Sequence, residues 1–379
     1  MTETTYAKGL AGVIAAESRI CSIDGEVGDL RYRGYSIQDL AENSTFAESA
    51  YLLLYGSLPT QTELDAFAAQ LNGYRAAPGF VIDALRALPK DTHPMIALQA
   101  AIAAHGAHES VPAGNNEDNF ERAKQLIARL PTIVAAWQRI ADGNEPLAPR
   151  EDLGHGQNFL YMLTGEAPDA ETGHIFDVCL ILHMEHSFNA STFTGRVVSA
   201  TEAPIDASVS AAVGALYGPL HGGANERVLH MLDKIPSAAD APAWLADALS
   251  KKVKIMGMGH RVYRAKDPRA FVLEGFLRPI AKKTGGSENL EKLLVIEAEM
   301  RRIMEEKGKP IYPNVDYFSG SLYQMLKIPT ELFTPIFAVA RVVGWTAHIL
   351  EQWEDNRLYR PRALYTGDVT NTWVDFDKR

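Results

Sequence analysis

Two histidines of this chain stand in bends built from glycine. His221 lies within "GPLHGGANE" (218–226) and His260 within "GMGHRVYR" (257–264). A histidine in such a place is a hydrogen-bonded structural group, a metal ligand, or a donor or acid–base group beside a bound molecule. A third loop, "PNVDYFSG" (313–320), sets Asp316 between a Pro-Asn-Val run and aromatic residues. A helix N-cap is the plain role for that aspartate. Its sharper role is a carboxylate base in an apolar cleft, where desolvation raises the pKa and makes the group more basic.

The surrounding charges narrow the choice. Between 251 and 272, Lys251, Lys252, Lys254, Arg261, Arg264, Lys266 and Arg269 oppose only Asp267, in a chain whose formal net charge is -10. A basic island in an acidic protein suits an anionic ligand, and a solvated helix face is the alternative. If 260–266 begins a helix, His260 and Arg264 share a face at i,i+4; Asp267-Pro268 then caps the next helix, with Arg269 in its first turn. Arg341 lies inside "IFAVARVVGWTAHIL" (336–350), where a guanidinium is costly unless an internal Asp or Glu, or a bound carboxylate, meets it. His183 and His186 fall one turn apart in "FDVCLILHMEHSF" (176–188), which reads as a buried helix. Together these groups suit carbon-acid chemistry: a base removes a proton, neutral donors stabilise the enolate, and arginines grip carboxylates. A metal would need a third ligand, and neither HExxH nor a cysteine cluster is present.

The elements that must position these loops are mainly helical. "ICSIDGEVGDLRYRG" (20–34) places Asp24-Gly25 between strand-forming residues, a hairpin signal and the sign of a small N-terminal β element. "TFAESAYLLLYG" (45–56) has cap candidates in Ser44 and Thr45, a box partner in Glu48, and stops at Gly56 and Pro59. Breaks rich in Gly, Pro, Asn or Asp fall at 109–118, 142–152, 235–243, 284–289 and 307–314. No alternation of strand and helix, GxGxxG or P-loop lysine supports a doubly wound nucleotide-binding sheet.

At 379 residues the chain has room for two domains, and 46% hydrophobic with 22% charged residues is ordinary globular composition. The acidic balance argues against nucleic-acid or membrane-surface partners. Two cysteines, Cys21 and Cys179, without metal-like spacing point to a reducing, cytoplasmic setting. The start lacks a basic segment followed by an apolar one, so no secretory signal is expected. The run 336–350 is shorter than the ~20 residues that span a bilayer and reads as a buried helix.

Over nearly its whole length the chain resembles the citrate synthase family, including its 2-methylcitrate synthase branch. The likeness runs through "IDGEVGDLRYRGYSIQDLA", "EHSFNASTFTGRVV", "GPLHGGANE", "GMGHRVYRAKDPR", "PNVDYFSG", "LFTPIFAVARVVGWTAHILEQ" and "NRLYRPRALYTG", in the family's order. The resemblance implies a mainly α, two-domain fold: a large domain from 1–220 and 323–379, and a small one at 221–322 that closes over bound oxaloacetate. It implies His221 at the thioester carbonyl of acetyl-CoA or propionyl-CoA, Asp316 as the base, and His260 at the oxaloacetate carbonyl. It further implies His186, Arg269 and Arg341 as oxaloacetate ligands, Arg264 as a CoA phosphate contact, no cofactor or metal, and a homodimer in which Arg360 crosses the interface. His183 takes no role from it. The chain resembles the family's short type, without the N-terminal extension of NADH-inhibited hexamers. A dedicated 2-methylcitrate synthase, a noncatalytic helical anion-binding protein and a metal-dependent helical hydrolase are the competing readings.

Overall fold

The computed structural model describes residues 6–108 and 116–379. Among them the chain forms sixteen α-helices and one antiparallel sheet of three short strands, β1 (Cys21–Asp24), β2 (Asp29–Tyr32) and β3 (Tyr35–Ser36). Asp24-Gly25 does open the turn between β1 and β2, but the connection spans four residues rather than two. Gly28 N donates to Asp24 O at 3.0 Å, and the Asp24 carboxylate accepts from Glu26 N at 3.0 Å. The side-chain acceptor makes this longer turn self-sufficient.

Local signals account for much of the helical part. Thr45 caps Phe46–Tyr55 by accepting from Glu48 N, and Gly56 ends it at φ 91. The Glu48 side chain does not reach back, so the capping box is half made. The break at 109–118 lies largely outside the described residues, and its last three residues already belong to the helix Asn116–Ala141. The other four breaks separate helices as expected.

The apolar run extends into a 22-residue helix, Phe333–Glu354. That is long and apolar enough to cross a membrane, yet 94% of its most apolar 18-residue stretch is buried inside the fold. The helices Phe46–Tyr55, Pro94–His105, Asn116–Ala141, Ala170–His183, Ala190–Ser199 and Ile205–Tyr217 all pack against it. A second group, Ala224–Leu232, Ala241–Ser250, Pro268–Lys283, Glu288–Glu306 and Val315–Met325, packs largely on itself. The last of these runs through residue 322, so the expected boundary there falls inside a helix.

Candidate active site

Irregular segments bring the His260 and Asp316 loops together. Met258 and Pro313 form an isolated antiparallel bridge; beside it Gly259 N donates to Tyr312 O (2.8 Å) and Asn314 N to Gly257 O (2.9 Å). The Asn314 side chain completes the joint: its amide nitrogen donates to Gly259 O at 2.8 Å, while its oxygen accepts from Asp316 N at 3.0 Å. Asn314 is therefore the N-cap of Val315–Met325. Asp316 is not the cap; it stands in the first helical turn with its carboxylate uncommitted, next to the His260 loop.

Residues 260–266 are bends rather than a helix, so His260 and Arg264 do not share a face. The histidine itself makes the bend: Nδ1 accepts from Val262 N (3.0 Å) and Tyr263 N (3.3 Å). The β1–β2 turn clamps the loop from outside, with Arg264 N donating to Gly25 O at 2.7 Å. Only glycine fits there, since a Cβ on Gly25 would lie 2.2 Å from Val262 O. Because Nδ1 accepts, the ring proton resides on Nε2. Burial, aided by the Arg269 charge, pushes His260 down to about 4, so it is a neutral Nε2–H donor.

His221 is held in the opposite tautomer. Its Nε2 accepts from Ser191 N (3.2 Å) and lies 2.8 Å from Ser191 Oγ, which leaves the proton on Nδ1. Burial, then Arg341 and Arg261, push it down to about 4. The bend depends on glycine: a Cβ on Gly222 would sit 2.1 Å from Leu216 O, and Gly223 adopts φ +69. Arg227 fastens it by donating to the carbonyls of Pro219, Gly222 and Gly223. The partly buried Asp316 completes the group. Burial pushes it up to about 6, with Asp267 adding and Arg269, Arg341 and Arg227 opposing.

The cations are placed with unequal freedom. Asp267 caps Pro268–Lys283 as the sequence suggests and also takes Arg269 Nε (3.0 Å) and Nη2 (2.8 Å) as a bidentate pair. Burial works against that guanidinium, but Asp267 outweighs it and holds the pKa above the ordinary value. Arg341, 1% exposed, meets no carboxylate within ion-pair distance among the described residues; its Nε donates to His183 O at 2.7 Å and its guanidinium stacks 4.7 Å from the Phe337 ring. Among the described residues no internal Asp or Glu pairs with it, and burial lowers Arg341 to about 10. His183 and His186 do not stack on one helix, because Ala170–His183 ends at His183. His186 turns instead toward Tyr263 Oη (3.2 Å) and the His260 ring (5.2 Å between centroids). His183 hydrogen-bonds Cys179 O at 2.7 Å, a structural contact.

Two expected residues are exposed. Arg264 is exposed on its loop, and Arg360 is exposed on the irregular tail, its Nη1 donating to Pro361 O. The island is also less free than its sequence suggests. Lys266 pairs with Glu274 and Glu297, and Lys251 with Asp247. Sequence reasoning missed Ser191, Tyr263 and the second role of Asp267. It also missed the inward face of Phe333–Glu354, where Arg341, Trp345 and His348 recur at i, i+4 and i+7. Trp345 Nε1 donates to Ser191 Oγ at 3.1 Å and so braces the His221 acceptor. Among the described residues no three His, Cys, Asp or Glu side chains gather to hold a metal ion.

A raised carboxylate, two neutral N–H donors of opposite tautomer and buried arginines are groups that can take a proton from carbon and stabilise the resulting enolate. A family model described as "Citrate synthase, C-terminal domain" matches residues 9–362. The chain belongs to the citrate synthase family. Citrate synthase from Synechocystis is 44% identical over 99% of this chain and 94% of its own. A Bacillus subtilis relative named citrate/2-methylcitrate synthase is 39% identical over 96% of both. A citrate synthase from Thermoplasma acidophilum, solved in ternary complex with carboxymethyl coenzyme A and oxaloacetate, superposes with TM-score 0.92. It is 34% identical and covers 99% of this chain and 100% of its own. Citrate synthases are acyltransferases, and the mainly helical architecture with a small N-terminal sheet is the fold of the solved citrate synthases it superposes on.

Proposed function

We propose that the protein condenses acetyl-CoA with oxaloacetate and hydrolyses the product to citrate and CoA, and that it also accepts propionyl-CoA to give 2-methylcitrate. The observation that carries this reading is the pair of histidines locked in opposite tautomers, together with the raised, uncommitted carboxylate of Asp316. Asp316 takes a proton from the carbon next to the thioester carbonyl while His221 Nδ1–H donates to the carbonyl oxygen. The new carbon nucleophile attacks the keto carbon of oxaloacetate, whose oxygen accepts from His260 Nε2–H. Water then cleaves the thioester. Arg341, Arg269 and His186 hold the oxaloacetate carboxylates; Arg264 meets a CoA phosphate. Arg360 of a second copy completes the site in a homodimer, and the 221–322 unit closes over oxaloacetate to exclude water from the enolate. The relative with a dual name supports the second acyl donor. One methylene changes pocket affinity by only ~1–3 kcal/mol, so both acyl groups fit one catalytic frame.

The test is CoA-thiol release by the purified protein with oxaloacetate and either acetyl-CoA or propionyl-CoA, EDTA present and products identified by mass. Turnover with acetyl-CoA supports the condensation, and comparable turnover with propionyl-CoA supports the dual donor. Release from neither refutes the reading.

A further inference from the structure

The residue before His186 is a glutamate that no step of the reaction uses. Glu185 is 0% exposed, and its Oε1 reaches forward two residues to accept from Ser187 N at 2.5 Å. Ser187 sits at φ +52, a left-handed conformation that a serine rarely adopts without support. The carboxylate is thus the clasp of a tight turn that stops the preceding helix and swings the His186 ring toward Tyr263 and His260.

The clasp is itself held. His348 Nε2 lies 2.9 Å from the same Oε1, and His348 Nδ1 accepts from Arg196 Nη1 at 3.2 Å, so the imidazole proton points at Glu185. Arg196 in turn donates to Glu351 (2.8 Å) and Gln352 (3.0 Å). The backbone N of Glu185 donates to Tyr32 Oη at 3.2 Å, which ties the same turn to the sheet. The other oxygen, Oε2, is buried without a hydrogen-bond partner against Gly344, where a Cβ would come within 2.2 Å of it. A buried carboxylate with one unsatisfied oxygen is costly for mere packing.

We propose that Glu185 is a positioning residue that acts through the left-handed turn at Ser187 to orient His186 for oxaloacetate. The inference rests on the reading of His186 as an oxaloacetate ligand. The clasp holds the His186 side directly and reaches the Ser191–His221 side only through Asn189, which donates to Ser187 O at 3.2 Å and accepts from Ser191 Oγ at 2.8 Å, so the larger effect falls on oxaloacetate.

The experiment compares Glu185→Ala, Glu185→Gln, Ser187→Pro and Glu185→Ala/Ser187→Gly with the wild type. Both KM values and kcat are measured, together with calorimetric oxaloacetate binding without acyl-CoA. Glu185→Ala is expected to weaken oxaloacetate roughly tenfold in KM and Kd, with a smaller change in the acyl-CoA KM. Glycine at 187 reaches the left-handed conformation unaided, so the double variant recovers most of that loss. Glu185→Gln keeps an acceptor oxygen and stays near wild type. Ser187→Pro keeps the Glu185 side chain but forbids the left-handed turn and removes the N–H that the carboxylate accepts, and it reproduces the oxaloacetate-weighted loss even if Glu185→Ala does not fold. Equal changes in both KM values, an unchanged oxaloacetate Kd in Ser187→Pro, or no recovery in the double variant would overturn the inference. A wild-type protein that turns over neither acyl-CoA fails the functional reading instead.

Discussion

Replacing Asp316 by Asn should stabilise the protein while removing most of its turnover. Burial raises the carboxyl from its ordinary value of 3.8 to about 6. Each unit is ~1.4 kcal/mol, so holding the charged form in the folded state costs about 3 kcal/mol at neutral pH. The sign follows from proton counting. Between pH 3.8 and 6 the folded state binds more protons at this group than the unfolded chain, so its contribution to stability falls as pH rises through that window and is flat above it. Asparagine removes the penalty and forfeits a favourable charge in the first helical turn, an offset of ~0.3–1 kcal/mol. The net gain is about 2 kcal/mol. With ~2.1 cal/mol/K of unfolding entropy per residue, this raises Tm by about 2–3 °C. Thermal melts of both proteins from pH 4 to 8 check it, the gap opening above pH 4 and complete by pH 7. Wild-type kcat/KM for the acyl donor should fall tenfold per pH unit below about 6, a limb that the histidines, at about 4, do not supply. Asn at 316 should cost about 10²–10⁴-fold in kcat. A variant no more stable than wild type at pH 7, or a gap that persists at pH 4, would refute the reasoning.

The two tautomers distinguish amide replacements. His260→Gln, which keeps an N–H near the Nε2 position, should retain ~10-fold or more of the kcat that His260→Asn loses, and His221 should show the reverse preference; equal losses in steady-state kinetics would contradict the assignment. Arg341 has a folded pKa lowered to about 10 by burial. Its charged form therefore opposes folding until pH passes 10, and Arg341→Met should raise Tm at neutral pH while removing the oxaloacetate-induced Tm shift. A less stable variant that still responds to oxaloacetate would count against that. Gly25→Ala drives a Cβ into Val262 O. Displacing that backbone should cost ~1–3 kcal/mol in denaturant titrations and lower kcat/KM for oxaloacetate, and a silent substitution would show that the turn does not seat the His260 loop.

Sequence punctuation revealed what is local. Thr45 and Gly56 bound a helix, Asp267-Pro268 starts another, and Asp24-Gly25 opens the hairpin, because each acts within four residues. The loops carrying His221, His260 and Asp316 were legible for the same reason. Their chemistry was not, because it is set from a distance. The His221 tautomer depends on Ser191, thirty residues upstream. The His260 bend defeats the i,i+4 argument because the imidazole captures two local amides and Gly25 takes a third. The helix expected across 176–188 ends early because a buried carboxylate claims Ser187 N, a contact that apolar periodicity cannot register. Lys266 read as part of a free island until distant Glu274 and Glu297 folded onto it. The face of Arg341, Trp345 and His348 was readable from spacing alone.

The seating of the N-terminal hairpin has a kinetic meaning. Gly25 meets Arg264, Tyr32 meets the carbonyl of Glu185 across 153 residues, and Arg19 N meets Glu351 across 332. Closing such long loops is entropically slow, and on the ribosome the hairpin emerges well before any of these partners exists. The helices can form and collapse as local units. The reactive centre cannot, since its walls are contributed by both ends of the chain. Substrate recognition is therefore one of the last properties this polypeptide acquires as it folds, and a nascent chain still lacking Phe333–Glu354 holds the loop residues without the frame that gives them their protonation states.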